Sequence, residues 1–84
     1  MKIDLRNVKV ADIEGHEVSL DMNKVLGNQL YMQGQSLLEC EFGKRLYYAD
    51  GPIEATEEQV EILRRLAKPL PFLTRTAVLE LLKQ

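Results

Sequence analysis

A chain of 84 residues is one domain spanning 1–84, because independent domains run to about 100–150 residues and a second core would not fit. Hydrophobic residues make up 45% and charged residues 29%, which is ordinary for a soluble globular protein and too apolar for a disordered one. The net charge of −2 excludes a basic nucleic-acid tail and lowers the case for phosphate-driven binding, and the single cysteine, Cys40, excludes an internal disulfide or a cysteine metal cluster.

So small a domain has little surplus stability for a strained active site, and burial against a partner would add to it. No run approaches the roughly 20 apolar residues of a membrane span. Met1–Lys2–Ile3–Asp4 begins with alternating charge where a signal peptide needs an apolar stretch. With one cysteine suited to a reducing compartment, the expected location is cytoplasmic.

In the first twenty residues Val8 and Val10 precede an Asp12–Ile13–Glu14–Gly15–His16 turn, and Val18 and Leu20 follow it. This alternation predicts a β-hairpin. With Gly15 in the left-handed position of a type I turn with a G1 bulge, Asp12 faces His16, Val10 faces Val18 and Val8 faces Leu20. That register gathers four aliphatics on one face and leaves Lys9, Ala11, Glu17 and Ser19 on the other. A two-residue Glu14–Gly15 loop would pair Val10 with Ser19 and mix the faces. Ile3 and Leu5 alternate in the opposite phase, so a kink, bulge or separate edge segment is expected near Arg6–Asn7.

Asp21 or Asn23 caps a short helix running to about Gln33, with Leu26 and Leu30 one turn apart. Ser36–Leu37–Leu38–Glu39 reads as a capping box. The helix it opens carries Leu38, Phe42 and Leu46 at i, i+4 spacing, sets Cys40 and Tyr47 on another side, and stops near Asp50–Gly51–Pro52. Ile53–Glu54–Ala55 is long enough to add an edge strand to the hairpin. Thr56–Glu57–Glu58–Gln59 is a second capping box, and the amphipathic helix after it has an apolar arc of Val60, Ile62, Leu63, Leu66 and Ala67. Its outer face holds Glu57, Glu61, Arg64, Arg65 and Lys68, with Glu61 and Arg65 as an i, i+4 pair. Pro69 and Pro71 force a break, and a last helix runs from about Pro71 to Lys83. The fold class is therefore α+β, an N-terminal β-hairpin with one further short strand, packed on about four short α-helices.

The chemistry-bearing residues read blandly. His16 is a solvent-exposed turn residue without a companion metal ligand, so no metal or cofactor site is expected. Cys40 is a half-buried thiol far from any base. Glu57, Glu58 and Glu61 form a solvated helix face, and the scattered glycines build no phosphate nest. Lys44, Arg45, Tyr47 and Tyr48 mix cations with aromatics as an RNA surface does, but helical spacing separates them, so they read as core tyrosine with exposed rim charge. No catalytic residue is assigned, and the chain is read as non-enzymatic.

The last helix is apolar over more than half its circumference, through Phe72, Val78, Leu79, Leu81 and Leu82. So wide an arc needs two surfaces to bury against, one inside the domain and one on a second subunit or partner. These five residues are the candidate interface. Helix, proline turn and helix from Thr56 to Lys83 also invite comparison with a helix-turn-helix, but the second helix offers mostly leucines to a groove.

The order of Lys2–Val10, the turn Ile13–Val18, Leu20–Tyr31 with its Leu26–Gly27–Asn28 and Leu30–Tyr31 phrases, a second tyrosine-bearing helix, then Gly51–Thr56 and Glu57–Gln59 resembles small bacterial proteins encoded in phage or prophage structural-gene clusters. The resemblance runs over most of the chain and implies an assembly or accessory role. It carries no functional residues onto this sequence. Pro69, Pro71 and the Gly51–Pro52 corner depart from the pattern, which leaves helix boundaries to be located. The expected function is a non-catalytic protein-interaction module, with a protein partner or homo-oligomer and the C-terminal helix as its face. The alternative is a small nucleic-acid-binding regulator of antitoxin or repressor kind, using Lys44, Arg45, Arg64, Arg65 and Arg75.

Overall fold

The computed structural model describes residues 1–83, which form an α+β arrangement of short strands and four helices. Gly15 takes a φ of +88°, a value that L side chains resist. It closes the turn with Gly15 N donating to Asp12 O and Asp12 N donating to His16 O, both at 3.0 Å. Strands β2 (Val8–Ala11) and β3 (Glu17–Leu20) pair antiparallel with Val10 opposite Val18 and Val8 opposite Leu20, the bulged register. Burial along the aliphatic face fades toward the tip: Val8 is buried, Val10 and Leu20 half-buried, and residues 11–19 all exposed.

The break at Arg6–Asn7 separates the hairpin from β1 (Lys2–Ile3). The extra strand β4 (Ile53–Glu54) pairs with β1, Ile3 opposite Ile53, and not with the hairpin, which corrects the expected edge pairing. Arg6 fixes that corner. Its guanidinium grips Asp4 through two bonds of 2.9 Å, and its Nη1 donates to Asp50 O before β4.

Helix α1 (Met22–Gln33) is capped by Asp21, whose Oδ1 accepts from Lys24 N at 3.2 Å. Asn23 lies inside instead. Its Oδ1 accepts from Leu5 N at 3.1 Å while Met22 N donates to Leu5 O at 2.8 Å, so one residue of extended backbone is satisfied by the start of a helix. Asn23 Nδ2 is buried with no partner.

Helix α2 (Leu37–Tyr47) begins at Ser36, whose Oγ accepts from Glu39 N at 3.2 Å. The Glu39 carboxylate lies 4.0 Å from Arg65 of α3 rather than closing the expected box. Phe42 and Leu46 are buried, but Leu38 is 79% exposed, a second correction. An i, i+4 row drifts about 40° per step, so Leu38 rotates off the face that Phe42, Gly43 and Leu46 share.

In α3 (Glu57–Ala67) both capping-box bonds form, and Val60, Leu63 and Ala67 are buried. Glu61 pairs with Arg64 on the same helix, leaving Arg65 to Glu39, in place of the expected Glu61–Arg65 pair. Helix α4 (Phe72–Leu81) starts directly after Pro71 and packs Val78, with Leu82 just beyond its end, into the core. That core joins Ile3 and Leu5, Val8 of β2, Leu26 and Leu30 of α1, Phe42 and Leu46 of α2 and Leu63 of α3. No helix of the described residues is long and apolar enough to cross a membrane.

Candidate functional site

Helices α1 and α2 repeat one phrase, a glycine followed one turn later by a tyrosine: Gly27 with Tyr31, and Gly43 with Tyr47. The two copies face each other. A Cβ on Gly27 would lie 2.7 Å from Gly43 O and 2.8 Å from Tyr47 N, and one on Gly43 would lie 2.7 Å from both Gly27 O and Tyr31 N. Only glycine permits so close an approach of two helix backbones, and the tyrosine after each glycine is thereby set beside the crossing. Two of the glycines that read as scattered, Gly27 and Gly43, thus let α1 and α2 meet backbone to backbone.

Above this crossing lies a groove of about 300 Å³ lined by Gly27, Asn28, Tyr31, Lys44, Tyr47 and Tyr48. All three tyrosines of the chain converge on it. Tyr47 and Tyr48 meet edge to face, with centroids 5.0 Å apart and planes at 76°. Lys24 reaches across from α1, its Nζ 4.1 Å from the Tyr47 centroid and 5.6 Å from that of Tyr48, where the ring quadrupole attracts the cation. Of the pair expected as core tyrosine, Tyr47 is half-buried and Tyr48 is 70% exposed, so Tyr48 is a surface ring, as is Tyr31. Neither Lys24 nor Lys44 forms a salt bridge among the described residues. Lys24 against the Tyr47 ring and Lys44 in the groove lining suit an apolar group flanked by negative charge.

The residues read as the C-terminal interface divide. Val78 and Leu82 are wholly buried within the chain and Leu79 is half-buried, while Phe72 and Leu81 are exposed together with Leu73. The wide apolar arc is thus filled on one side by the protein's own core. The cations considered for nucleic acid are mostly engaged: Arg45 donates to Glu54 O, Arg64 to Leu82 O at 2.8 Å, and Arg75 to Lys68 O at 3.2 Å. Arg64 and Arg65 share a shallow surface with Glu39, Glu57, Glu58 and Glu61, so α3 presents mixed charge.

At the hairpin tip the Asp12 carboxylate accepts from the backbone amides of His16 at 2.8 Å and Glu14 at 2.9 Å, and its other oxygen lies 3.1 Å from His16 Nδ1. The His16 amide, ahead of the His16 ring, holds the Asp12 carboxyl below its ordinary range. Cys40 is half-buried, its Sγ 3.9 Å from Gly34 O. Among the described residues no three His, Cys, Asp or Glu side chains gather as a metal site.

The sequence reading missed the groove, and the one signal that points to it is the glycine–tyrosine spacing repeated in consecutive helices. Comparison of the chain with known protein families, with curated proteins and with solved structures gave no match.

Proposed function

We propose that this chain is a non-catalytic protein-interaction module whose partner binds in the tyrosine groove between α1 and α2. The convergence of all three tyrosines and Lys44 over the glycine crossing, with Lys24 against the Tyr47 ring, carries this reading. Tyrosine supplies large contact area at small entropic cost and is enriched at protein interfaces. Nucleic acid is the weaker reading because affinity for it grows with phosphates neutralised: two lysines would give a salt slope of only about −1.4 on a single strand. An assembly or accessory role, of the kind the resemblance to phage-encoded proteins implies, fits a binding module without a reaction.

The test is site-specific photo-crosslinking in cells that express the protein, with the crosslinker at Tyr31 or Tyr48 and, as control, at exposed Glu57. The expected result is protein adducts at the two groove positions, resistant to nuclease and absent from Glu57. Nuclease-sensitive adducts, or equal labelling at all three positions, would overturn the reading.

A second surface has its own observation: Phe72, Leu73 and Leu81 of α4 are large, apolar and exposed. A partner covering α4 would be lost in a Leu73→Asp, Leu81→Asp chain while groove crosslinks persist.

A further inference from the structure

The groove has an occupant of matching chemistry elsewhere on the same molecule. Ile13 sits at the apex of the hairpin, 104% exposed, at the second position of the Asp12–Gly15 turn, which accepts most residues and leaves its aliphatic side chain in solvent. It is flanked in sequence by Asp12 and Glu14, with Glu17 at the start of β3. An apolar side chain between carboxylates complements aromatic rings between ammonium groups. We infer that the groove binds the hairpin tip of a second copy of this chain, Ile13 entering among Tyr31, Tyr47 and Tyr48 while Asp12 and Glu14 face Lys24 and Lys44. The inference rests on the groove being a protein-binding site and names its partner.

Three further features support the fit. The tip is already ordered by four hydrogen bonds, two donated by the amides of Glu14 and His16 to Asp12 Oδ1 and two across the turn backbone, so little ordering entropy is lost on docking. Residues 11–19 are all exposed, so the tip stands clear of the body and can enter a neighbour. A groove of about 300 Å³ lies at the small end of ligand pockets, and one hairpin apex is a small occupant. Its walls come from α1, α2 and Tyr48 just past the end of α2, so the chain's own tip does not fill it. Tip and groove are different patches, and the contact is therefore heterologous, able to close into a ring or extend head to tail.

Sedimentation of the purified chain over a range of concentration and salt tests this. The wild type should self-associate, more weakly as salt screens the charge pairs. Ile13→Asp, which spoils the tip, should weaken association by about 10- to 100-fold, the loss expected for one buried aliphatic side chain. Lys44→Glu, which spoils the groove, should weaken it as well. Both positions are exposed, and unchanged circular dichroism will show that both variants fold. An equimolar mixture of the two variants should recover a 1:1 complex, because one retains an intact groove and the other an intact tip. A wild type that is monomeric throughout, association indifferent to both substitutions, or a mixture that stays dissociated would overturn the inference. If the chain alone is monomeric while Tyr31 and Tyr48 crosslink a different protein, the self-docking inference fails and the protein-interaction module stands. If the groove positions crosslink no protein at all, both fail.

Discussion

Replacing Gly27 by alanine sets two effects of opposite sign against each other. In an exposed helix interior this exchange stabilises by about 0.5–1 kcal/mol, because glycine loses more backbone freedom on folding. At Gly27 the new Cβ would lie 2.7 Å from Gly43 O, 2.8 Å from Tyr47 N and 3.0 Å from Tyr47 Cα. All three atoms are backbone of the facing helix, so relief requires α1 and α2 to part rather than a side chain to swing. Overpacking costs about 1–3 kcal/mol, and a rigid backbone neighbour puts this site at the upper end. Subtracting the propensity gain leaves a net loss of about 2 kcal/mol, or a fall in Tm of about 8–16 °C for a domain of this size. Urea unfolding followed by circular dichroism measures it, with Asn28→Ala on the exposed side of the same helix as control. The Gly27→Ala, Gly43→Ala double variant should lose less than the sum of the two singles, since both relieve one crossing. A Gly27→Ala chain as stable as the wild type, or more so, would refute the close approach and with it the floor of the groove.

Three other outcomes follow from buried or paired groups. Asn23→Ala leaves the Leu5 amide without its acceptor and should cost about 1–3 kcal/mol, with faster hydrogen exchange at Leu5 as the specific sign. Leu82→Ala should cost about 2–5 kcal/mol because Leu82 is 0% exposed, whereas Leu81→Ala, at 43% exposed, should stay within about 0.5 kcal/mol; equal losses in thermal unfolding would contradict the burial assigned to α4. The Arg6 guanidinium holds the Asp4 carboxyl below its ordinary value of 3.8. Asp4 therefore contributes stability that is present above that value and lost as pH falls through the lower folded one. The stability gap between wild type and Asp4→Asn should be constant at neutral pH and close in acid, and a gap that widens in acid would reverse the sign.

Much of the fold was legible because local rules agreed with one another. Gly15 and the phase of the valines set the hairpin register, and Thr56 with Gln59 marked the start of α3, since turn chemistry and capping are short-range. The errors have a common origin in tertiary partnering. Ile53 had the composition of an edge strand, but nothing local says whether it joins Val8 or Ile3. Leu38 obeyed the i, i+4 rule yet lies where no neighbour covers it, and the arc of α4 held the core residues Val78 and Leu82 beside the exposed Phe72 and Leu81. The groove was hardest to see. It depends on the absence of side chains at Gly27 and Gly43, and periodicity counts apolar residues, not gaps. Asn23 falls on the same side of α1 as Leu30 and is buried with it, a placement that a polar residue near a helix start conceals.

The central claim, that the tyrosine groove and not the α4 face takes the hairpin tip of a second copy, is tested most directly by a dilution series of amide NMR spectra from the highest soluble concentration downward. Lys24, Tyr31, Lys44, Tyr47 and Tyr48 should shift together with residues 12–16 along one binding curve, while Phe72, Leu73 and Leu81 stay still. Spectra that do not change with concentration, or shifts confined to α4, would contradict it.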